Sequence, residues 1–236
     1  MKDNVYMEIS PEMIISAYAQ GFFPMAKSAE STEIEWVCPE IRGVLPIADI
    51  HISRSLLKLL KKKPYKISVD TAFPEVIRAC ADVYKGREQT WINDVIIKGF
   101  EHMHALDTAH SVEVWDDDGN LVGGLYGLSL GGAFFGESMF SKADNASKIA
   151  LIHLAARLYH GGYTLLDAQF PNDHLDQFGA YEMEHDDYMV TLEKALNTKA
   201  SFYPSLSADL DASSAEEPSD SESLLSLFLQ SRTQIS

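Results

Sequence analysis

Phe134-Phe135-Gly136-Glu137-Ser138-Met139-Phe140-Ser141, continued by Lys142-Ala143-Asp144-Asn145-Ala146-Ser147-Lys148, decides how this chain is read. Ala133 to Gly136 reads as a strand entered from the Gly131-Gly132 turn. Asn145 to Tyr159 reads as a helix, because Ile149, Ile152, Ala155 and Ala156 recur at helical spacing before Gly161-Gly162 ends it. The turn expected between them gathers a carboxylate, hydroxyls and bulky apolar side chains. The next strand, Thr164 to Phe170, is apolar except for Asp167 and Gln169, which share one face while Ala168 and Phe170 take the other. Burying such groups without hydrogen bonds costs roughly 2–7 kcal/mol for the neutral one alone. Two readings fit: a structural pair satisfied by neighbouring backbone, or a site completed by Glu137.

Further out, Ser111–Trp115 and Leu121–Leu128 read as a hairpin turned at Asp118-Gly119. Ile92, Ile96, Phe100, Met103 and Leu106 mark an amphipathic helix, and Phe73, Val76, Ile77, Cys80 and Ala81 another, closed at Gly86. Between these two, Arg87 to Ile92 reads as a loop. Tyr65–Val69 alternates as a half-buried strand, Ser53–Lys62 is a helix stopped before Pro64, and Asp186–Leu196 is a last helix. The order after residue 65, β-α-α-β-β-β-α-β-α, predicts a mixed α/β (α+β) layer fold, of which a Gcn5-type (GNAT) acyltransferase sheet is one arrangement. Ser10-Pro11 starts an N-terminal helix running to Gln20, and Phe22–Met25 reads as an apolar corner. Ile34–Val37 and Val44–Ile47 then form a hairpin whose second strand sits at an edge because of Pro46. Residues 1 to about 50 are thus expected to be a small subdomain and 51–200 the main domain. The acidic, serine-rich tail, 201–236, is expected to be disordered apart from a short helix at 224–229.

The net charge of −16 over 236 residues argues against a nucleic-acid partner, but its distribution softens that. The tail holds six acids and one base, whereas His51 to Val69 holds no acid and carries Arg54, Lys58, Lys61, Lys62, Lys63 and Lys66. That run is either a solvated lysine face or a patch for a few phosphates. No apolar run reaches membrane-spanning length, and the first residues, Met1 to Tyr6, lack a signal-peptide core, so a cytoplasmic protein is expected. Cys38 and Cys80 have no metal or redox spacing and read as free thiols. His102 and His104, two apart on a helix, point apart, and no metal site is read there. Walker A, G-x-G-x-x-G, H-E-x-x-H and G-x-S-x-G patterns are missing. Glycines 123, 124, 127, 131 and 132 lie within strand and hairpin and read as tight backbone packing.

Several stretches together carry a resemblance. They are Gly21–Met25, Trp36–Pro39 through Arg42–Leu45, His51–Ser55, Thr90–Ile92, Ala109–Trp115, Leu121–Gly127, and the opening stretch through Lys148. From about residue 11 to 196 the chain resembles the bacterial leucyl/phenylalanyl-tRNA–protein transferases. The resemblance implies a small N-terminal domain and a GNAT-like acyltransferase domain. It implies an enzyme that moves leucine or phenylalanine from Leu-tRNA or Phe-tRNA onto proteins beginning with arginine or lysine, marking them for N-degron proteolysis. By the same resemblance, Asp167 and Gln169 match the catalytic pair, Glu137 with Ser138 the substrate-amine contacts, and Asn172 a neighbouring polar contact. Leu125, Phe134, Met139 and Leu154 match the aminoacyl pocket, and Trp36 and Trp91 aromatics near the terminal adenosine. Leu154 replaces an aromatic found in some members, which enlarges the pocket, and the tail has no counterpart in the family.

The chemistry so implied is aminolysis of an already activated ester, for which no cofactor, metal or covalent intermediate is expected. An α-amine of pKa near 7.7–8 is roughly a tenth to a fifth neutral at pH 7, so positioning supplies much of the rate. Gln169 accepts a hydrogen bond from the amine, and Asp167 either orients that amide or takes the proton through it. Two other readings need different features. An acyl-CoA N-acetyltransferase needs a Gln/Arg-x-x-Gly-x-Gly/Ala loop, which is not visible, and a non-catalytic N-degron adaptor needs only an acidic pocket.

Overall fold

The computed structural model describes residues 9–83, 89–205 and 220–233. Met1 to Tyr6, Gly86, Arg87 and Glu88, and the tail acids Asp209, Asp211, Glu216 and Glu217 lie outside these residues. In chain order the elements are α1 (Pro11–Ala19), β1 (Phe23–Ala26), β2 (Ile34–Val37), β3 (Ile41–Leu45), α2 (Arg54–Lys62), β4 (Lys66–Val69), α3 (Phe73–Ala81), α4 (Asp94–Ala105), β5 (Ala109–Trp115) and β6 (Leu121–Leu130). They continue as β7 (Ala133–Ser141), α5 (Ala146–His160), β8 (Leu165–Gln169), α6 (Asp173–Asp176), β9 (Tyr181–Glu184), α7 (His185–Leu196) and α8 (Ser221–Thr233).

Seven strands form one mixed sheet in the order β4-β5-β6-β7-β8-β3-β9, antiparallel except for the β7–β8 pair. Helices cover both faces. Ile14, Tyr18, Phe73, Phe100 and Tyr188 pack one side, while Leu56, Ile152, Leu158 and Phe228 pack the other. The helices start where capping chemistry places them: Ser10, Ser53 and Asn93 each accept from a backbone N–H one turn on. The glycines read as packing positions are just that. A Cβ on Gly123 would lie 2.5 Å from Ala146 Cβ, and one on Gly127 would lie 2.3 Å from the Phe135 carbonyl.

Three expectations need correction. The 34–37 and 44–47 hairpin does not form: β2 pairs with β1, the segment read as a corner, and β3 enters the main sheet between β8 and β9. The expected subdomain of residues 1 to about 50 therefore loses its last strand to the sheet, with Pro46 lying just past it. Glu137 to Ser141 is not a turn but a continuation of β7, which pairs with β6 as far as Gly123↔Ser141. Finally, residues 221–233 of the tail form α8, which buries Leu224, Leu225 and Phe228, the last two in the cluster around α5. An i, i+1, i+4 apolar set on a serine-rich background gives one narrow stripe, enough to dock a helix but faint in composition.

Candidate active site

Two strand irregularities build the site. On β7, Phe135 and Phe140 belong to or pack against one face while Phe134 and Met139 face the other, an odd spacing that a regular strand cannot give. The register supplies the reason: Gly127 opposes Gly136 and Tyr126 opposes Ser138, so Glu137 is an extra residue in a β-bulge. On β8, Gly43 opposes Gln169 and Val44 opposes Asp167, so Ala168 is likewise extra. Gln169 takes a left-handed backbone with φ of 68°, a conformation that costs a non-glycine residue about 1–3 kcal/mol. The parallel β7–β8 pairing lasts three residues, from Ala133↔Leu165 to Phe135↔Asp167. Beyond that the strands part, and both bulges lie where they do so.

A continuous polar chain crosses this gap. Arg42 Nε donates to both carboxylate oxygens of Asp167, at 3.1 and 3.0 Å, and Nη2 lies 3.0 Å from Oδ2. Tyr188 donates to Oδ2 at 2.7 Å, and the Gln169 backbone N–H to Oδ1 at 2.7 Å. The Gln169 side chain donates to Glu137 Oε1 at 2.9 Å, and Tyr18 donates to the same oxygen at 2.8 Å. Among the described residues Glu137 Oε2 has no hydrogen-bond partner, although it is buried. Burial pushes the Glu137 carboxyl up to about 8, with the nearby Asp167 charge adding to the rise against its hydrogen-bond donors and Arg42. Burial and the Glu137 charge hold the Tyr18 phenol well above its usual value. For Arg42, burial works against the charge, but Asp167 and Tyr188 outweigh it and raise the guanidinium further.

Beside this chain is a cavity of about 290 Å³. Its apolar wall comes from Leu45, Leu125, Met139, Leu151, Leu154 and Leu166; Glu137, Ser138, Asp167, Asn172 and His174 supply the polar side, and Trp91 lies at the lining as well. A greasy chamber with a carboxylate and an amide at one edge suits a ligand with an apolar side chain and a reacting polar end. Among the described residues no group of three or more His, Cys, Asp or Glu could hold a metal ion.

The chain matches the family model described as leucyl/phenylalanyl-tRNA protein transferase over residues 44–193, and the model of that family's N-terminal domain over residues 7–40. This chain belongs to the leucyl/phenylalanyl-tRNA protein transferase family. Proteins so named from Afipia carboxidovorans and Paramagnetospirillum magneticum are 47% and 50% identical to it. The alignments cover 91% and 82% of this chain and 94% and 92% of theirs. A solved structure of L-PGS from Bacillus licheniformis matches 70% of this chain and 53% of its own at a TM-score of 0.40 and 15% identity.

In this family member the structure brings together Asp167, Gln169, Glu137, Ser138, Asn172, Trp91, Leu125, Met139 and Leu154, all at the cavity or bonded to its lining. It does not bring Phe134 there: that ring is fully buried against Tyr163 and Phe202. Trp36, half-buried on β2, is also outside the lining. Arg54, Lys58, Lys61, Lys62, Lys63 and Lys66 are exposed along α2 and the start of β4, and Lys63 pairs with Glu222 of α8 at 2.9 Å. Sequence reasoning gave no role to Arg42, Tyr18, Tyr188 or His174. The signal for Arg42 was present, since a lone cation inside Ile41-Arg42-Gly43-Val44-Leu45 demands a buried carboxylate as surely as Asp167 demands a cation. Tyr18 and Tyr188 look like ordinary core aromatics on helices, and nothing local marks their hydroxyls.

Proposed function

We propose that the chain transfers leucine or phenylalanine from the charged tRNA 3′ end to the N-terminal arginine or lysine of acceptor proteins, as the resemblance implies. The observation that carries this is the polar chain Asp167–Gln169–Glu137 running along the rim of a small apolar cavity. The leucine-rich wall would take the side chain of the esterified amino acid, and Met139 adapts to either an aliphatic or an aromatic one. The ester carbonyl would then lie at the rim, where the incoming amine meets Gln169. Glu137 Oε1, which also accepts from Tyr18, takes the Gln169 NH₂ at 2.9 Å, which leaves the amide carbonyl as the acceptor for the amine. Asp167, held by Arg42 and Tyr188, accepts from the Gln169 backbone N–H and so positions that residue rather than reacts.

Charge distribution supports the two macromolecular partners. Asn172 also borders a second hollow whose lining includes Asp173, Asp176 and Glu182, an acidic setting that suits a peptide beginning with a cation. A further hollow of about 600 Å³ lies between His51, Ser53 and Ser55 around the start of α2, Lys148 of α5 and Asp176, the one acid in its lining. With the exposed cations of α2 it forms our candidate path for the acceptor-end phosphates. We assign the sheet to the GNAT-like acyltransferases, because its parallel strand pair parts to open the cavity. A cytoplasmic location is part of the same proposal; no helix among the described residues is long and apolar enough to cross a membrane.

Incubating the protein with labelled leucyl-tRNA and a peptide beginning with arginine tests the reading. Label should pass to the peptide and fail to do so with Asp167→Asn. Movement of label only from acetyl-CoA, or peptide binding without modification, contradicts it.

A further inference from the structure

Aminolysis of the ester must remove a proton from the attacking nitrogen and give one to the departing ribose oxygen. The polar chain constrains which group can do this. Asp167 is fully buried, and both its oxygens are taken by Arg42, Tyr188 and the Gln169 N–H. The Gln169 amide has no basic atom at this pH. His174 at the lining is exposed on the short α6. Tyr126, also at the lining, is a phenol.

Glu137 differs from all of these. It is 7% exposed, it lines the cavity, and its Oε1 already accepts from both Tyr18 and Gln169. A proton on this carboxyl therefore goes to Oε2, the buried oxygen without a partner among the described residues. Building on the transfer reading above, we propose that Glu137 Oε2 is the proton shuttle of the reaction. The oxygen takes a proton from the α-amine as the nitrogen lone pair forms the bond to the ester carbonyl carbon. When the carbon–oxygen bond to the ribose breaks, the same proton passes to the ribose oxygen, so amide and free hydroxyl form with the carboxylate restored. The groups facing Glu137 are Tyr18 from α1, Gln169 and Asp167 from β8 and Arg42 from β3, with Tyr126 of β6 at the same lining and near Tyr18. Tyr18 is held as a neutral phenol, so none of these groups replaces the shuttle near neutral pH. Burial raises the carboxyl to about 8, so part of it is ionised near neutral pH and able to take the proton that the nitrogen sheds as it bonds to carbon, and the resulting acid is strong enough to return it to the ribose oxygen.

The test is steady-state transfer from leucyl-tRNA to a peptide beginning with arginine, followed from pH 6 to 9.5. For the unaltered chain kcat should rise with a slope approaching about two below pH 8, because both the amine and Glu137 must be deprotonated, and level off above it. Glu137→Gln keeps the shape and both hydrogen bonds to position 137. It should lower kcat by roughly 10²–10⁴-fold, leave KM for both substrates nearly unchanged, and reduce the pH dependence to the single slope that follows the amine. Glu137→Ala should regain part of the loss with added formate. A kcat within threefold in Glu137→Gln, a defect confined to KM, or an unchanged pH slope would overturn the shuttle while leaving the transfer reading standing. Absence of transfer by the unaltered chain overturns both.

Discussion

The middle of β8 and the middle of β7 each bury a carboxyl group, and the two are treated in opposite ways. Asp167 has a guanidinium, a phenol and a backbone N–H around it, with no acceptor site left over. Glu137, one strand away, has two donors on one oxygen and nothing among the described residues on the other. A fully satisfied buried group rigidifies its surroundings, whereas a half-satisfied one stores unfavourable free energy that a ligand can release. The difference separates a group that holds geometry from a group that meets substrate.

Removing the satisfied carboxylate should do the greater damage to the fold. Asp167→Ala leaves Arg42 as a buried, uncompensated cation, and loss of one partner of such a pair costs about 3–5 kcal/mol. Urea unfolding should show that loss, and transfer should vanish with it. Asp167→Asn should lose transfer with a smaller drop in midpoint; equal and small drops would mean that the closed end of the chain is not closed.

The open carboxylate should behave the other way. The folded Glu137 carboxyl sits at about 8 against 4.5 for the free group, so the folded state holds a proton that the unfolded state gives up. Stability is therefore undiminished below pH 4.5 and is lost as pH rises from there through 8. Glu137→Gln should unfold at higher urea than the unaltered chain at pH 9, by on the order of a few kcal/mol, and the gap should close by pH 4.5. A Gln variant less stable at pH 9 would place a hidden partner on Oε2.

Changes on the cavity wall should touch substrate choice and neither carboxylate. Leu154→Phe narrows the chamber and should lower kcat/KM for phenylalanine by roughly 10–100-fold, with a smaller loss for leucine. An equal loss for both would point to distortion of α5 instead. Smallest of all, Lys61→Gln with Lys62→Gln should raise KM for tRNA a few-fold. The slope of log K against log salt should fall by roughly 0.7–0.9 per lysine that touches a phosphate, with kcat unchanged.

How far the sequence itself announces this comparison depends on range. The helices of α1, α4 and α5 and the β5–β6 hairpin follow from caps, apolar spacing and Asp118-Gly119, because each signal lies within its own element. Asp167 and Gln169 stand out as polar residues in an apolar strand. The bulges do not, since an extra residue shows only in the register against a partner strand, and the Phe135-to-Phe140 spacing was the sole local trace. Arg42 and Tyr18 reach the site from 125 and 119 residues away in sequence, and no local pattern pairs them with Asp167 or Glu137. The same distance misled the reading of β3, whose partners β8 and β9 come more than a hundred residues later. The α8 stripe was diluted by its serines.

The most direct measurement is a structure with a non-hydrolysable leucyl-adenosine amide bound. The leucyl side chain should lie among Leu125, Met139, Leu154 and Leu166, with its carbonyl at the rim between Gln169 and Glu137 Oε2. A leucyl group seated in the hollow beside His51 and Lys148, or a carbonyl turned away from Glu137, would contradict the account.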